Sequence, residues 1–306
     1  MKGYLFVISL LVTLFTNPLQ AQDIPLTQKA AGLCQSGDLI GAREVIDKAI
    51  TTAEQDHPYC WYVKGYIHKE IYKLIEKQDI YSENRDEAVS AIRKSIELDK
   101  ESEYANFNNK ALEYLSKSYY NDALTLIKSF ETSDEAVIFA YYDTFKELMG
   151  LADPFFTYAT FDKDFNSALA VAYETQYYKD NNDKTLINKA IAYYNNVLTI
   201  DPLDYTANFN TAIDYYNQGV YKVKRIDYNT DIVELMMIQD ECVKLFKQSL
   251  PYMLKAYDQT PERRETLIAL MAIYRALNDY DRSEFFEETL ERLIREGKIP
   301  PHSSGK

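Results

Sequence analysis

Two histidines and a cysteine, His57, Cys60 and His68, are the only clustered soft ligands in the 306-residue chain. A zinc site would need them to converge with a fourth group. Cys60 immediately precedes Trp61 at a small, close-packed position, which favours a buried structural thiol over a ligand. The run DKDFNS, Asp162 to Ser167, has the opening carboxylates of a calcium loop. It lacks glycine at the sixth place, and Tyr173 stands where the bidentate glutamate belongs, so a solvated turn is the expected reading. GDLIG, Gly37 to Gly41, has two glycines but no following Lys-Ser/Thr, and reads as a turn between helices rather than a phosphate cradle. No HExxH or GxSxG pattern is present. With no catalytic, metal-ligating or cofactor pattern standing, a non-enzymatic role with no cofactor is expected.

Aromatic residues dominate what is left: 27 tyrosines and 14 phenylalanines, more than a catalytic centre would use. Most are expected to fill helix interfaces, each hydroxyl reaching water or a polar partner. The elements that would carry them are helices. Glycine and proline are scarce, at nine each, which argues against a turn-rich sandwich or barrel. Ile187, Ala190, Ile191, Tyr194, Val197 and Leu198 recur at helical spacing, and Asn84 with Glu87 three residues on has the form of a capping box. Asp99 and the Asp201-Pro202 pair stop the helices that precede them.

The tetrapeptide ANFN occurs at Ala105–Asn108 and again at Ala207–Asn210. A gapless alignment at that 102-residue offset also pairs Ala88 with Ala190 and Asp99 with Asp201. Since 102 is three times 34, the offset points to a 34-residue repeat, the mark of a solenoid. On these residues the chain resembles the tetratricopeptide-repeat (TPR) family. CWYVKG, Cys60 to Gly65, is similar to the family's first-helix signature, with lysine in place of leucine. Ala42, Ile46 and Ala49 fall in register as a second helix, Ala256, Pro261, Leu267, Leu270, Met271 and Tyr274 continue the pattern, and Ser283 takes a small position. Stacked pairs share one core, so small residues such as Ala88, Ala190 and Ala256 are needed where helices approach.

The resemblance implies an all-α, TPR-like right-handed α-solenoid of about five to seven helix pairs over residues 22–296. The repeat is expected to be irregular over 133–183, as a distorted pair with an ordered loop around Asp153-Pro154. An insertion at about 222–246 would lengthen a second helix or add one, with Pro251 starting or kinking the next helical stretch. Residues 297–306 are expected to form a disordered tail. First helices of such repeats line a concave groove that holds a peptide or a partner's helix. Tyr62, Tyr66, Phe107, Phe209 and Tyr216 take groove-facing places in this register, and Asn108 and Asn210 match one asparagine place of the carboxylate-clamp members. Aromatics stand where the clamp lysines belong, so that specificity is not implied. The expected partner is a protein or peptide. A glycan gripped by the groove aromatics is the alternative, and an enzyme with an unrecognised site in 133–183 is a third reading.

Residues 1–21 have the form of a signal peptide: Lys2, the apolar stretch YLFVISLLVTLF, and a small residue before Gln22. The stretch is short for a span of roughly 20 residues, and an uncleaved anchor is the alternative. An exported, periplasmic or secreted chain without a stable membrane span is therefore expected. Loss of Lys2 takes the formal charge from -13 to -14, a balance that repels phosphate backbones and argues against nucleic acid. In the repeat register Cys34 and Cys60 are offset by about nine positions, roughly 13 Å along the helix axis at 1.5 Å per residue. A disulfide needs Cα atoms within about 7 Å, so both are expected to be free.

Overall fold

The computed structural model describes residues 24–130, 135–179 and 183–300. The segment read as a signal peptide lies outside them. Twelve α-helices and no strand occur among the described residues, in the order of six consecutive helix hairpins, within the expected range. None of the described helices is long and apolar enough to cross a membrane. The chain divides into two compact units, 1–112 and 113–306.

In the first unit α1 (Leu26–Gln35) and α2 (Leu39–Ala49) form one hairpin, and α3 (Pro58–Leu74) and α4 (Glu83–Leu98) the next, followed by the start of α5 (Ala105–Lys128). The α1–α2 turn requires a glycine at Gly37, where φ is 90°, while Gly41 already lies inside α2. Asp38 caps α2 by accepting the Gly41 amide at 2.9 Å. His57 caps α3 through Nδ1, with Pro58 at the first helical position, where its missing N–H costs nothing. The cap of α4 is Ser82, which accepts the Arg85 amide at 3.0 Å, and not Asn84. Asn84 is drawn inside the helix instead, pairing Oδ1 with His68 Nδ1 at 2.8 Å and donating to Glu76 at 2.6 Å. The shared core gathers Ala30, Leu39, Ala42, Ile46, Ala49, Cys60, Val63, Ile67 and Ile71. Gly65 allows α3 to lie directly on α4: a Cβ there would stand 2.6 Å from Ile92 Cδ1 and 3.2 Å from the Ala88 carbonyl oxygen.

The second unit continues α5 and adds α6 (Glu135–Ala152), α7 (Ala159–Lys179), α8 (Lys184–Ile200), α9 (Tyr205–Lys224), α10 (Ile232–Gln259), α11 (Arg264–Ala276) and α12 (Tyr280–Arg295). The region expected to fit worst holds two helices, α6 and α7, joined by a loop in which Asp153 accepts the Phe155 amide at 3.0 Å. DKDFNS is therefore helical and not a turn, because α7 runs through it. Asp162 accepts the Tyr142 hydroxyl at 2.7 Å and pairs with Lys146 at 2.5 Å. The insertion lengthens the second helix of its hairpin to the 28 residues of α10, which runs through Pro251. Aromatic packing replaces aliphatic packing between α5, α6 and α7. Tyr142 stacks on Phe165 at 3.8 Å, and Tyr120 meets Phe161 edge-on at 4.9 Å. Ile299 is buried against the α11–α12 core and Arg264 donates to the Pro300 carbonyl, so the packed chain extends past 297, where a tail was expected.

Candidate functional site

In the first unit α3 presents Tyr59, Tyr62 and Tyr66 at spacings of three and four, one helical face. The start of α5 sets Tyr104 and Phe107 beside them. Tyr59 lies 5.5 Å from Tyr104, Tyr62 5.6 Å from Phe107 and 6.1 Å from Tyr66, and the Tyr62 and Tyr104 rings are within 20° of parallel. Three of the residues read from the sequence, Tyr62, Tyr66 and Phe107, are thus brought together. The rings are half-buried and Phe107 is 43% exposed, so the band is a surface and not a core. Burial raises the pKa of Tyr59, Tyr62 and Tyr66, and that of Tyr104 is pushed up to about 12. Every hydroxyl stays protonated at neutral pH, giving an uncharged face with donors at its edges. Tyr59 and Tyr104 were absent from the sequence reading. The spacing of Tyr59 to Tyr62 would have found the first, whereas Tyr104 precedes its helix and carries no periodic signal.

The two ANFN copies do not occupy equivalent places. Asp99 and Asp201 both cap the C-termini of their helices, so α4 and α8 align at the 102-residue offset. The connections after them differ: DKESEY leads into α5, and the shorter DPLD leads into α9. That two-residue difference brings the helices into register at an offset of 100. Asn108 consequently matches Asn208, and both are fully buried, as are Leu112 and Ala212. Asn108 donates to Ser95 Oγ at 3.1 Å, and Asn208 to the Pro202 and Asp204 carbonyls at 3.1 and 2.9 Å. Asn108, expected to face a partner, has no exposed surface and is corrected to a structural residue.

Asn210, Phe209 and Tyr216 lie in the second unit. Phe209 stacks on Tyr205 at 5.6 Å, Tyr216 packs on Phe246 at 5.4 Å, and both rest on the α10–α11 core. Asn210 donates to the Tyr194 hydroxyl at 2.7 Å, which donates to Glu174 at 2.8 Å. A parallel arrangement lies further along α9. Asn217 donates to the Tyr178 hydroxyl at 2.9 Å, and that hydroxyl lies 3.4 Å from Asp214 Oδ1. Asp214 is fully buried and its Oδ2 has no partner. Burial, then repulsion from Glu174, pushes its pKa up to about 9, and burial also raises that of Glu174. Asp214 is therefore a neutral acid at pH 7.

A cleft of about 1010 Å³ opens between the second half of α5 and α7. Ile127, Phe130, Val171 and Leu186 give it apolar walls, with Lys128 and Lys179 among its polar lining. Gln176 braces it by donating to the Phe130 carbonyl at 2.6 Å. Its size suits an extended peptide segment or a large small molecule. Sequence reasoning missed it because the region lacks the repeat's signature letters.

The soft ligands stay apart. No group of three or more His, Cys, Asp or Glu residues is placed to hold a metal among the described residues. His57 caps a helix and His68 is committed to Asn84. Cys34, Cys60 and Cys242 are free thiols. Burial, then the Glu70 charge, pushes Cys34 up to about 11, so it is protonated and a poor nucleophile at neutral pH.

No family model matches the chain, and no curated protein matches it with significance. Among solved structures it is similar to PilW, a widely conserved type IV pilus biogenesis factor, at 17% identity over 90% of this chain and 94% of that one, with a TM-score of 0.35. Pseudomonas aeruginosa PilF matches at 11% identity over 88% and 90%, with a TM-score of 0.31. The S. pombe nuclear import adaptor Nro1 matches at 10% identity over 91% and 94%, with a TM-score of 0.37. All three scores lie below 0.5, so no property of those proteins is carried over. The described residues form an all-α chain of twelve helices, with fully buried small residues, Ala42, Ala88, Ala190 and Ala256, where helices meet.

Proposed function

We propose that the chain is a non-enzymatic binding scaffold, exported to the periplasm, that holds a protein or peptide partner against the first helices of its repeats. The observation that carries this reading is the uncharged, half-exposed aromatic band of Tyr59, Tyr62, Tyr66, Tyr104 and Phe107 on α3 and α5. Rigid aromatic rings supply large contact area at small entropic cost and dominate binding hot spots. The α5–α7 cleft is a second place where such a partner would seat apolar side chains. Phe209, Asn210 and Tyr216, half-buried in the second unit, stay among the proposed contacts, and Tyr62, Tyr66 and Phe107 are the ones that share the band.

The Tyr62→Ala, Phe107→Ala double variant tests this. Phe107 is exposed and Tyr62 lines only the edge of the first unit's core, so the variant is expected to keep its helical circular dichroism. Hot-spot truncation costs about 2 kcal/mol or more per residue, so partner capture from a periplasmic extract should fall at least ~30-fold. Undiminished capture by the folded variant moves the site off this band. The near-parallel Tyr62 and Tyr104 rings also favour a second reading, stacking on sugar rings. Retention of oligosaccharides and no protein by the wild-type chain would select it.

A further inference from the structure

Tyr59, Tyr62 and Tyr66 differ from other tyrosines of the chain in what their hydroxyls meet. Tyr142, Tyr158, Tyr193, Tyr194 and Tyr252 each donate to a protein acceptor at 2.7 to 3.2 Å. None of the three on α3 has a hydrogen-bond partner among the described residues, and none is sealed from solvent. Burial of the rings keeps all three hydroxyls protonated at neutral pH. A file of unengaged donors therefore runs along one helix face, the rings 6.3 Å apart from Tyr59 to Tyr62 and 6.1 Å from Tyr62 to Tyr66. Tyr104 and Phe107 wall the file on its α5 side. At the Tyr104 end stands Glu103, exposed and accepting the Tyr104 hydroxyl. At the Tyr66 end Lys69 lies 4.3 Å over the ring and pairs with Glu70, so that end is balanced in charge.

We infer, resting on the scaffold reading above, that the segment held by this band is a proline-rich stretch in polyproline II conformation, with a basic residue at its end beside Glu103. Such a helix has no internal hydrogen bonds, so its carbonyls need outside donors, while its prolines bring no N–H of their own. Donors are what the three hydroxyls supply, and aromatic-lined grooves are what proline rings pack into. An ordinary extended segment would instead turn N–H groups toward rings whose only acceptors are phenol oxygens. The period agrees. Tyr59 and Tyr66 are seven residues apart on α3, about 10.5 Å at 1.5 Å per residue, close to the ~9.3 Å of one three-residue polyproline turn. Prolines at i and i+3 thus reach the two outer rings together, with Tyr62 between them. The exposed Glu103 carboxylate, on a chain of formal charge -13, favours a basic residue at that end.

Fluorescence anisotropy with a labelled decaproline carrying one terminal arginine tests the inference on the full chain. Saturable binding is expected, at least ~10-fold tighter than for a flexible glycine-serine peptide of the same length and charge. Tyr62→Phe keeps the ring and removes only an unpartnered hydroxyl, so it should fold as the wild type does and bind decaproline about 5-fold more weakly, the size of one net hydrogen bond. Glu103→Gln should weaken the arginine-ended peptide about 3-fold and leave uncharged decaproline unaffected. Equal affinity for the proline and glycine-serine peptides overturns the inference. So does decaproline binding that the folded Tyr62→Ala, Phe107→Ala variant retains, because the peptide then sits elsewhere. A protein captured from the extract through the band, and not displaced by excess decaproline, leaves the scaffold reading standing and overturns this inference alone.

Discussion

Asp214→Asn is expected to stabilise the second unit by an amount that grows with pH, reaching on the order of 4 kcal/mol at pH 7. The sign comes from protonation in the two states. In the unfolded chain the carboxyl ionises near its ordinary value of 3.8, whereas in the folded chain it holds its proton to about pH 9. The stability this proton contributes is fully present below the lower value and is lost as pH rises to the upper one, at about 1.4 kcal/mol per pH unit. Asparagine keeps the shape and cannot ionise. Chemical denaturation at pH 5, 7 and 8.5 should give curves that diverge between wild type and variant as pH rises. Parallel curves would mean that Asp214 is already ionised and solvated in the folded protein.

Phe165→Ala should cost about 3–5 kcal/mol, the range for deleting a buried aromatic side chain. Phe165 is 2% exposed, stacks face to face on Tyr142 at 3.8 Å and meets Phe139 at 5.6 Å. Its loss leaves the α6–α7 pair without the ring that joins it. Phe165→Leu refills part of the volume and should recover about half the loss. Thermal denaturation of the three proteins checks the order, and a Phe165→Ala midpoint within a degree or two of wild type would remove this stack from the core.

These two sites differ in how visible they are from the sequence. Paired helices are legible from apolar residues at helical spacing and from alanines recurring at the repeat offset, since those residues have no other reason to recur. Helices α6 and α7 break the family's letters yet keep the physics, substituting aromatic stacking for small-to-large packing. Asp214 is invisible in the run IDYYNQG, where a carboxylate among polar residues reads as solvent-facing. In the fold it is fully buried, with the Tyr178 hydroxyl of α7 3.4 Å from Oδ1.

Phase was harder to read than element type. ANFN is identical in both copies, but a connection two residues shorter turns the second copy by two helical positions, exchanging which asparagine is buried. Letter identity marks the repeated segment, while loop length decides the face. Tyr62, Tyr66 and Phe107 were legible because the first two share a helix face and the third heads the next first helix. The cap of α4 was misread for a local reason: Ser82 and Asn84 are both good N-cap residues, and only the position of His68 decides between them.

The central claim is that the α3–α5 aromatic band touches a partner. Replacing Phe107, the most exposed ring of the band, by a photocrosslinking phenylalanine and irradiating intact cells reads that contact directly. Ile96, an exposed apolar residue on α4, is the matched control. A discrete protein adduct from position 107 and none from 96 is the expected result. Adducts of equal yield from both positions, or from 96 alone, would contradict the claim.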